Sequence, residues 1–396
     1  MSDSSTFIRT YKYRLYPTNA QFAALNDLLD VGRQFYNYAL QYRRERWDES
    51  RHRVTYHEQA AMWRDWRNEA PDDNPLRLLN MTAGQQLLRR LDKAFAAFFR
   101  RMKAGEEPGF PRFKGKNRFH SLEYRHGDGC KLFTDERGRT MFYVQKVGDL
   151  KVKYHRPLPH GCQIKHVVIE REFRKWYICL QLELSGAFVP QRPVSNPVGV
   201  DAGLLRLLSL SNGETLDNPR WLRQLLDQLR VEQRTLARRQ QGSNRRRKAA
   251  YQVARLHEKV ANQRSAFWHQ QTRKLVETYD LIAIEDLALQ FMTQNRHLAL
   301  SAHDAALGQF RQLLAYKAVE AGTQVVAVNP KGTSQVCSGC GMVVPKELKV
   351  RTHDCPHCGL SLDRDLNAAR NILNLALERL GRSRQDETWA VAPCVS

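Results

Sequence analysis

Four cysteines near the C-terminal end of this 396-residue chain are spaced to bind a metal. Cys337 and Cys340 form one CxxC pair and Cys355 and Cys358 another, with 14 residues between the pairs. Each CxxC turn offers two thiolates, and two such turns complete the sulfur tetrahedron that zinc takes in structural sites. Gly341 and Gly359 follow the pairs and allow the left-handed turn that closes each loop. The alternatives are two disulfides or four idle thiols; the paired spacing favours zinc. With four thiolates in the shell, His353 and His357 are expected to face solvent.

A second set of residues suggests a different metal chemistry. Asp201 interrupts the apolar run VGVDAGLLRLLSL, Glu285 follows the apolar residues of YDLIAIEDL, and Asp365 stands where DRDLNAARNI opens an amphipathic helix. A carboxylate inside an apolar strand is costly unless it is paired or holds a cation. Three such acids can hold two divalent ions. One activates water and the other stabilises the leaving 3′-oxygen of a phosphodiester. Oxygen ligands with open positions suit Mg2+ or Mn2+ rather than zinc. Asp363 is either a helper or the N-cap of the helix.

The elements that carry these groups follow from composition and periodicity. Lys and Arg number 63 against 41 Asp and Glu, a formal net charge of +22. Such a surplus points to a polyanion, most simply nucleic acid. A basic membrane-surface protein is the competing class, but the sequence shows neither a Trp-anchored amphipathic segment nor an apolar span. The polar start MSDSSTFIRT leads us to expect no signal peptide. Cys130, Cys162, Cys179 and Cys394 are scattered, which suits a reducing, cytoplasmic setting.

Phe7 to Tyr16 alternates apolar and basic residues and predicts a strand, with Thr18 capping the helix after it. Helical spacing predicts helices over Asn19 to Arg46, Tyr56 to Trp66 and Met81 to Met102. Their aromatic residues Trp63, Trp66, Phe95, Phe98 and Phe99 are expected in the core, with stacking of bases on them the less favoured alternative. Gly105 to Phe119 breaks this pattern. There Arg112, Lys114, Lys116 and Arg118 are interleaved with Phe110, Phe113 and Phe119, which suits phosphates flanked by stacked bases. The alternative is a solvated basic loop. Ser121 to Leu184 predicts strands, with a hairpin turning at Phe173 to Lys175, and so a β-barrel or sandwich. Pro190 to Pro197 reads as a linker.

From Val198 the pattern predicts two strands with a hairpin at Asn212-Gly213, then long basic helices from Trp221 to Tyr279. A strand ending in Glu285, a helix from Ser301 to Ala321, a strand from Thr323 to Val328, the CxxC knuckle and a helix from Leu366 to Leu380 come next. This is the order expected of an RNase H-like fold. Nine Arg or Lys between Arg230 and Arg255 favour nucleic-acid contact over a solvated coiled coil.

The chain resembles the TnpB family, RNA-guided nucleases of bacterial insertion sequences related to type V CRISPR effectors. The resemblance runs almost end to end. It rests on YRLYPTNAQ and GRQFYNYAL, on PGFPRFKGK, on VGVDAG and IEDL, and above all on TSQVCSGCG…CPHCGLSLDRDLNAARNI. It implies that Asp201, Glu285 and Asp365 are a RuvC catalytic triad, the second Asp of DRDLNAA being the catalytic one. The implied fold is multidomain α+β. A β-barrel wedge domain with an inserted helical recognition bundle precedes an RNase H-like (RuvC) α/β domain with an inserted four-cysteine zinc knuckle. The expected boundaries are 1–17 and 105–190 for the wedge, 18–104 for the recognition helices and 191–197 for a linker. The nuclease takes 198–332 and 362–384, the knuckle 333–361, and a flexible tail 385–396.

The resemblance also implies partners: a guide RNA from the transposon end and double-stranded target DNA, with one chain per guide and no membrane. Implied cofactors are structural Zn2+ and catalytic Mg2+ or Mn2+. Tyr56 and Gln85 are candidates for reading a short motif beside the target. A non-cleaving RNA-guided DNA-binding regulator and a DNA strand-transfer transposase are the alternatives. The three intact acids favour the nuclease.

Overall fold

The computed structural model describes residues 6–116, 118–185, 191–287, 289–347 and 350–381. The expected tail, 385–396, and Cys394 lie outside them. The chain divides into two units, Met1–Phe188 and Val189–Ser396.

In the first unit, strand β1 (Thr6–Tyr16) buries Tyr11, Tyr13 and Leu15 on one face, as its alternating sequence requires. Six further strands follow the helices: β2 (Ser121–Arg125), β3 (Cys130–Thr134), β4 (Thr140–Val144), β5 (Gly148–Lys153), β6 (Gln163–Glu172) and β7 (Lys175–Ser185). They form an antiparallel sheet of order β2-β6-β7-β1-β5-β4-β3. Strands β2 and β3 are its two edges and do not pair with each other. The expected β-barrel is therefore, among the described residues, a half-barrel. Helices α1 (Asn19–Ser50) and α3 (Met81–Lys103) explain this at the β2 side. Leu122 of β2 packs under Gly32 of α1, where a Cβ would stand 2.7 Å from Leu122 Cδ2. Arg90 of α3 donates to the Ser121 carbonyl at 3.0 Å.

Thr18 opens α1 and Thr55 opens α2 (Tyr56–Glu69), each through a reciprocal capping box, with Gln21 and Glu58. Trp63 of α2 is fully buried against Gly84 of α3. Phe95 is half-buried and packs against the core while lining a cavity, whereas half-buried Phe98 and Phe99 line that cavity instead of the core. The reason is that the buried residues of α3 end at Leu91, and beyond Phe95 its last two turns run past the packed core.

The second unit holds a five-stranded sheet: β8 (Pro197–Ala202), β9 (Arg206–Leu210), β10 (Thr215–Asp217), β11 (Leu281–Glu285) and β12 (Gln324–Val328). Its order is β10-β9-β8-β11-β12. The first three strands pair antiparallel, while β8, β11 and β12 are parallel. Helices α4 (Trp221–Arg238) and α5 (Asn244–Thr278) form the long basic pair.

The single helix expected over Ser301 to Ala321 is instead α7 (Ala299–Ala305) and α8 (Leu307–Ala321), preceded by a short α6 (Leu289–Gln294). Ala306 breaks it in the left-handed region, at φ 52°. The cause is tertiary. Buried Asp304 accepts the N–H groups of Leu222 and Arg223 at 2.9 and 3.2 Å, capping α4, and Trp268 donates to the Ala305 carbonyl at 2.9 Å.

Residues 191–197, expected as a linker, are fastened to the second unit. Arg192 donates to the carbonyls of Val276 and Tyr279 at 2.6 and 2.7 Å. Asp280 accepts both Ser195 donors and the Asn196 N–H at 2.7 to 2.8 Å. A two-stranded ribbon, β13 (Thr352–Asp354) and β14 (Ser361–Asp363), leads into α9 (Arg364–Arg379).

Candidate active site and metal-binding knuckle

Parallel pairing of β8 with β11 sets Val200 opposite Ile284. Asp201 and Glu285 come next in each strand and so leave the sheet at the same end. Helix α9 packs across β8 and presents Asp365, in its first turn, to the same place. Burial, with Glu285 and Asp365 beside it, pushes the Asp201 carboxyl up to about 7. Burial also raises Glu285, partly offset by the Thr333 hydroxyl, which donates to its Oε1 at 2.6 Å.

Asp365 is answered by cations. Arg364 Nη2 and Arg351 Nη1 lie 3.1 and 3.7 Å from its Oδ1. Asp363 has a different role: its Oδ1 accepts the N–H groups of Asp365 and Leu366 at 2.8 and 3.3 Å, which makes it the N-cap of α9. Its Oδ2 accepts Arg206 at 2.8 Å. Burial raises the Asp363 carboxyl, but Arg206 and the two N–H donors outweigh it and hold it low. Ionising Asp201 is opposed by the charges of Glu285 and Asp365, a cost that a bound cation would offset, and Arg364 and Arg351 already place positive charge at Asp365. The donor set is all oxygen, which fits Mg2+ or Mn2+.

The four sulfur atoms of Cys337, Cys340, Cys355 and Cys358 lie within 4.8 Å of one another. Cys337 to Cys358 and Cys340 to Cys355 are each 3.6 Å apart. That is close to the edge, about 3.8 Å, of a tetrahedron built on zinc–sulfur bonds of about 2.3 Å. The two turns share one geometry: Gly341 donates to the Cys337 carbonyl and Gly359 to that of Cys355, both at 2.9 Å, with φ of 77° and 74°. Burial pushes the Cys355 thiol up, but N–H donors from Cys358 and His357 hold it low, whereas at Cys358 the Leu360 N–H is outweighed by burial and the neighbouring thiols, which push that thiol up. These four thiols thus fit a metal such as zinc.

His357 is exposed, as expected, but His353 is fully buried, and its Nδ1 meets Lys346 Nζ. It lies between exposed Thr352 and Asp354 in β13, and strand alternation turns it inward.

Of the expected nucleic-acid contacts, Arg112, Lys116 and Arg118 are exposed and Lys114 is half-buried. The Lys114 backbone is pinned on both sides by Asn37, at 2.7 and 3.0 Å. Phe110 and Phe113 are exposed, with Arg44 over both rings at 5.9 and 5.5 Å, whereas Phe119 is buried in the core. Tyr56 lines a cavity of about 1640 Å³ in the first unit, and Arg89 donates to its hydroxyl at 3.1 Å. Gln85 is not in that wall; its neighbour Gln86 is.

Residues that sequence reasoning missed surround the acids: Thr333 at Glu285, Arg351 and Arg364 at Asp365, and Arg206 at Asp363. Asn371 was also missed. Its spacing of four from Asn367, on one face of an amphipathic helix, was the available signal.

Three family models match the chain. One described as "Helix-turn-helix domain" matches residues 7–52, one described as "Probable transposase" matches 174–296, and one described as "Cas12f1-like, TNB domain" matches 308–372. Here the first of these stretches holds β1 and one long helix rather than two helices about a turn. A Streptomyces pristinaespiralis protein whose name proposes an RNA-guided DNA endonuclease is 33% identical over 376 residues, covering 93% of this chain and 89% of the relative. An Escherichia coli strain K12 protein named in the same way, InsQ, is 28% identical over 386 residues, 92% of each chain. A cryo-EM structure of Cas12f1 with sgRNA and target DNA shares the fold at a TM-score of 0.62 and 13% identity, covering 93% of this chain and 99% of that one. Among the described residues no helix is long and apolar enough to cross a membrane.

Proposed function

Because this chain belongs to the TnpB family of RNA-guided DNA endonucleases, we propose that Asp201, Glu285 and Asp365 form its one site for DNA phosphodiester hydrolysis. The chain is an RNA-guided DNA endonuclease whose partners are a guide RNA and double-stranded DNA. The guide would come from the transposon end. The observation that carries the site is the convergence of three carboxylates from β8, β11 and α9, with Asp201 pushed up to about 7 by burial and by the other two. The strand order β10-β9-β8-β11-β12 supports an RNase H-like (RuvC) nuclease unit, with the four-cysteine knuckle inserted between β12 and α9. On this reading β1 to β7 are the wedge and α1 to α3 the recognition helices.

Asp201, Glu285 and Asp365 would hold Mg2+ or Mn2+, which when bound supplies an activated water and stabilises the leaving 3′-oxygen. The chain's own part is to fix the carboxylates. Strand register sets Asp201 beside Glu285, while Asp363, held by Arg206, fixes the first turn of α9 and so Asp365. Cys337, Cys340, Cys355 and Cys358 would hold zinc as a structural group. Arg112, Lys114, Lys116, Arg118 and the exposed basic residues of α4 and α5 would neutralise phosphates, with Phe110 and Phe113 offering rings to bases. Tyr56 and Gln85 would read the motif beside the target.

The test is a guided cleavage assay with Mg2+, run beside a binding assay, on Asp201→Ala, Glu285→Ala and Asp365→Ala. Cleavage should be lost while guide and target binding persist. A variant that cuts at the parental rate would sink the assignment, and cleavage in EDTA would sink the role of metal.

A further inference from the structure

The loop between β12 and the first CxxC turn touches three things at once. Thr333, which is 5% exposed, sets its hydroxyl 2.6 Å from Glu285 Oε1 and 3.1 Å from the Pro330 carbonyl. One proton cannot serve both well, and the shorter contact, to the Glu285 carboxyl, takes it. Cys337, four residues on, belongs to the thiol cluster. The loop is also gripped from α9. Asn371 Nδ2 donates to the Thr333 and Val336 carbonyls at 2.8 and 2.7 Å. Asn367 Nδ2 donates to the Val336 carbonyl at 2.7 Å, while its Oδ1 accepts the Ser338 N–H, inside the CxxC turn, at 2.9 Å. Both asparagines are buried.

Helix α9 therefore does two jobs. Its first turn carries Asp365, and its next turns hold the loop that carries the hydroxyl on Glu285. We infer that Thr333 is a positioning residue for Glu285, and that Asn367 and Asn371 make its placement depend on the thiol knuckle. The inference rests on the proposed role of Glu285 as a ligand for divalent cations. A ligand carboxylate has two oxygens and a free torsion. A fixed donor on Oε1 leaves the other oxygen in one orientation, and partners of this kind tune metal affinity.

The test uses the full-length protein with its guide. Thr333→Val keeps the shape and removes the hydroxyl; Thr333→Ser keeps the hydroxyl; Thr333→Ala is the smaller control should Val be poorly accommodated. Mn2+ binding is read from the free-ion EPR signal, with no DNA present, and cleavage is read against Mg2+ concentration. Zinc content and thermal unfolding report whether each variant is folded. We expect Thr333→Val and Thr333→Ala to weaken Mn2+ binding and raise the half-maximal Mg2+ about tenfold, with target binding kept, and Thr333→Ser to recover most of the loss. Parental Mn2+ affinity in folded Thr333→Val or Thr333→Ala, while Glu285→Ala is inactive, would overturn the positioning role alone. Active Glu285→Ala would overturn the site reading on which it rests. For the clamp, removing zinc from the parental protein should weaken Mn2+ binding in the same direction. Unchanged affinity after zinc removal would overturn the coupling.

Discussion

Gly199 and Ala369 leave no room for a side chain between them: a Cβ on Gly199 would stand 2.0 Å from the Ala369 carbonyl oxygen. Gly199 lies two residues before Asp201 on β8, and Ala369 lies one turn after Asp365 on α9. The contact of these two backbones thus sets the separation of two of the three carboxylates. Gly199→Ala is expected to push α9 off the sheet, at a cost of about 1–3 kcal/mol in unfolding free energy. Cleavage should fall further than that loss explains, while guide binding persists. Parental unfolding and parental cleavage together would show that the helix can give way without consequence.

About one zinc per chain is expected in protein purified without chelator. Elemental analysis that finds none would end the claim. Cys340→Ser should lower zinc content and reduce cleavage, although Cys340 is no part of the carboxylate site, because the first CxxC turn is bonded to α9 through Asn367.

Affinity for RNA should fall steeply with salt, since each neutralised phosphate releases counterion. Replacing Arg112 and Lys114 together by Ala should lower affinity and flatten the salt slope by about 0.7 per lost contact to a single strand. The loop itself should survive, because Asn37 holds the backbone rather than the side chain of Lys114. Affinity that does not change between low and physiological salt would contradict the charge argument.

Asp280 gives a pH-dependent prediction away from any metal site. Burial pushes its carboxyl up, but the N–H groups of Ser195 and Asn196 and the Ser195 hydroxyl outweigh burial and hold it low. An acid depressed in the folded state stabilises the fold above its unfolded value of 3.8, and that contribution is lost as pH falls through the folded value. Asp280→Asn should therefore cost about 1–3 kcal/mol at neutral pH, since it leaves buried donors short of an acceptor. The difference from the parent should narrow as pH drops below about 4. Urea unfolding across that range measures it, and a pH-independent difference would contradict the account.

Much of this protein was legible from sequence because the signals are local. The N-cap at Thr18, the hairpin turns at Phe173 and Asn212-Gly213, and the two CxxC turns each close within a few residues, so residue type and spacing suffice. The three acids stood out for a similar reason, since a carboxylate in or at the end of an apolar strand, as at Asp201 and Glu285, or at the opening of an amphipathic helix, as at Asp365, is conspicuous in its own neighbourhood. What only the tertiary structure decided depends on residues far apart in the chain. The sheet stays open at β2 because α1 and α3, far from it in sequence, pack against that strand. The helix breaks at Ala306 because Asp304 must cap α4, 82 residues earlier. His353 turns inward because β13 pairs with β14. The bond from Thr333 to Glu285 spans 48 residues and has no periodicity to betray it, and the glycine at position 199 acquires its meaning only when α9 is laid against it.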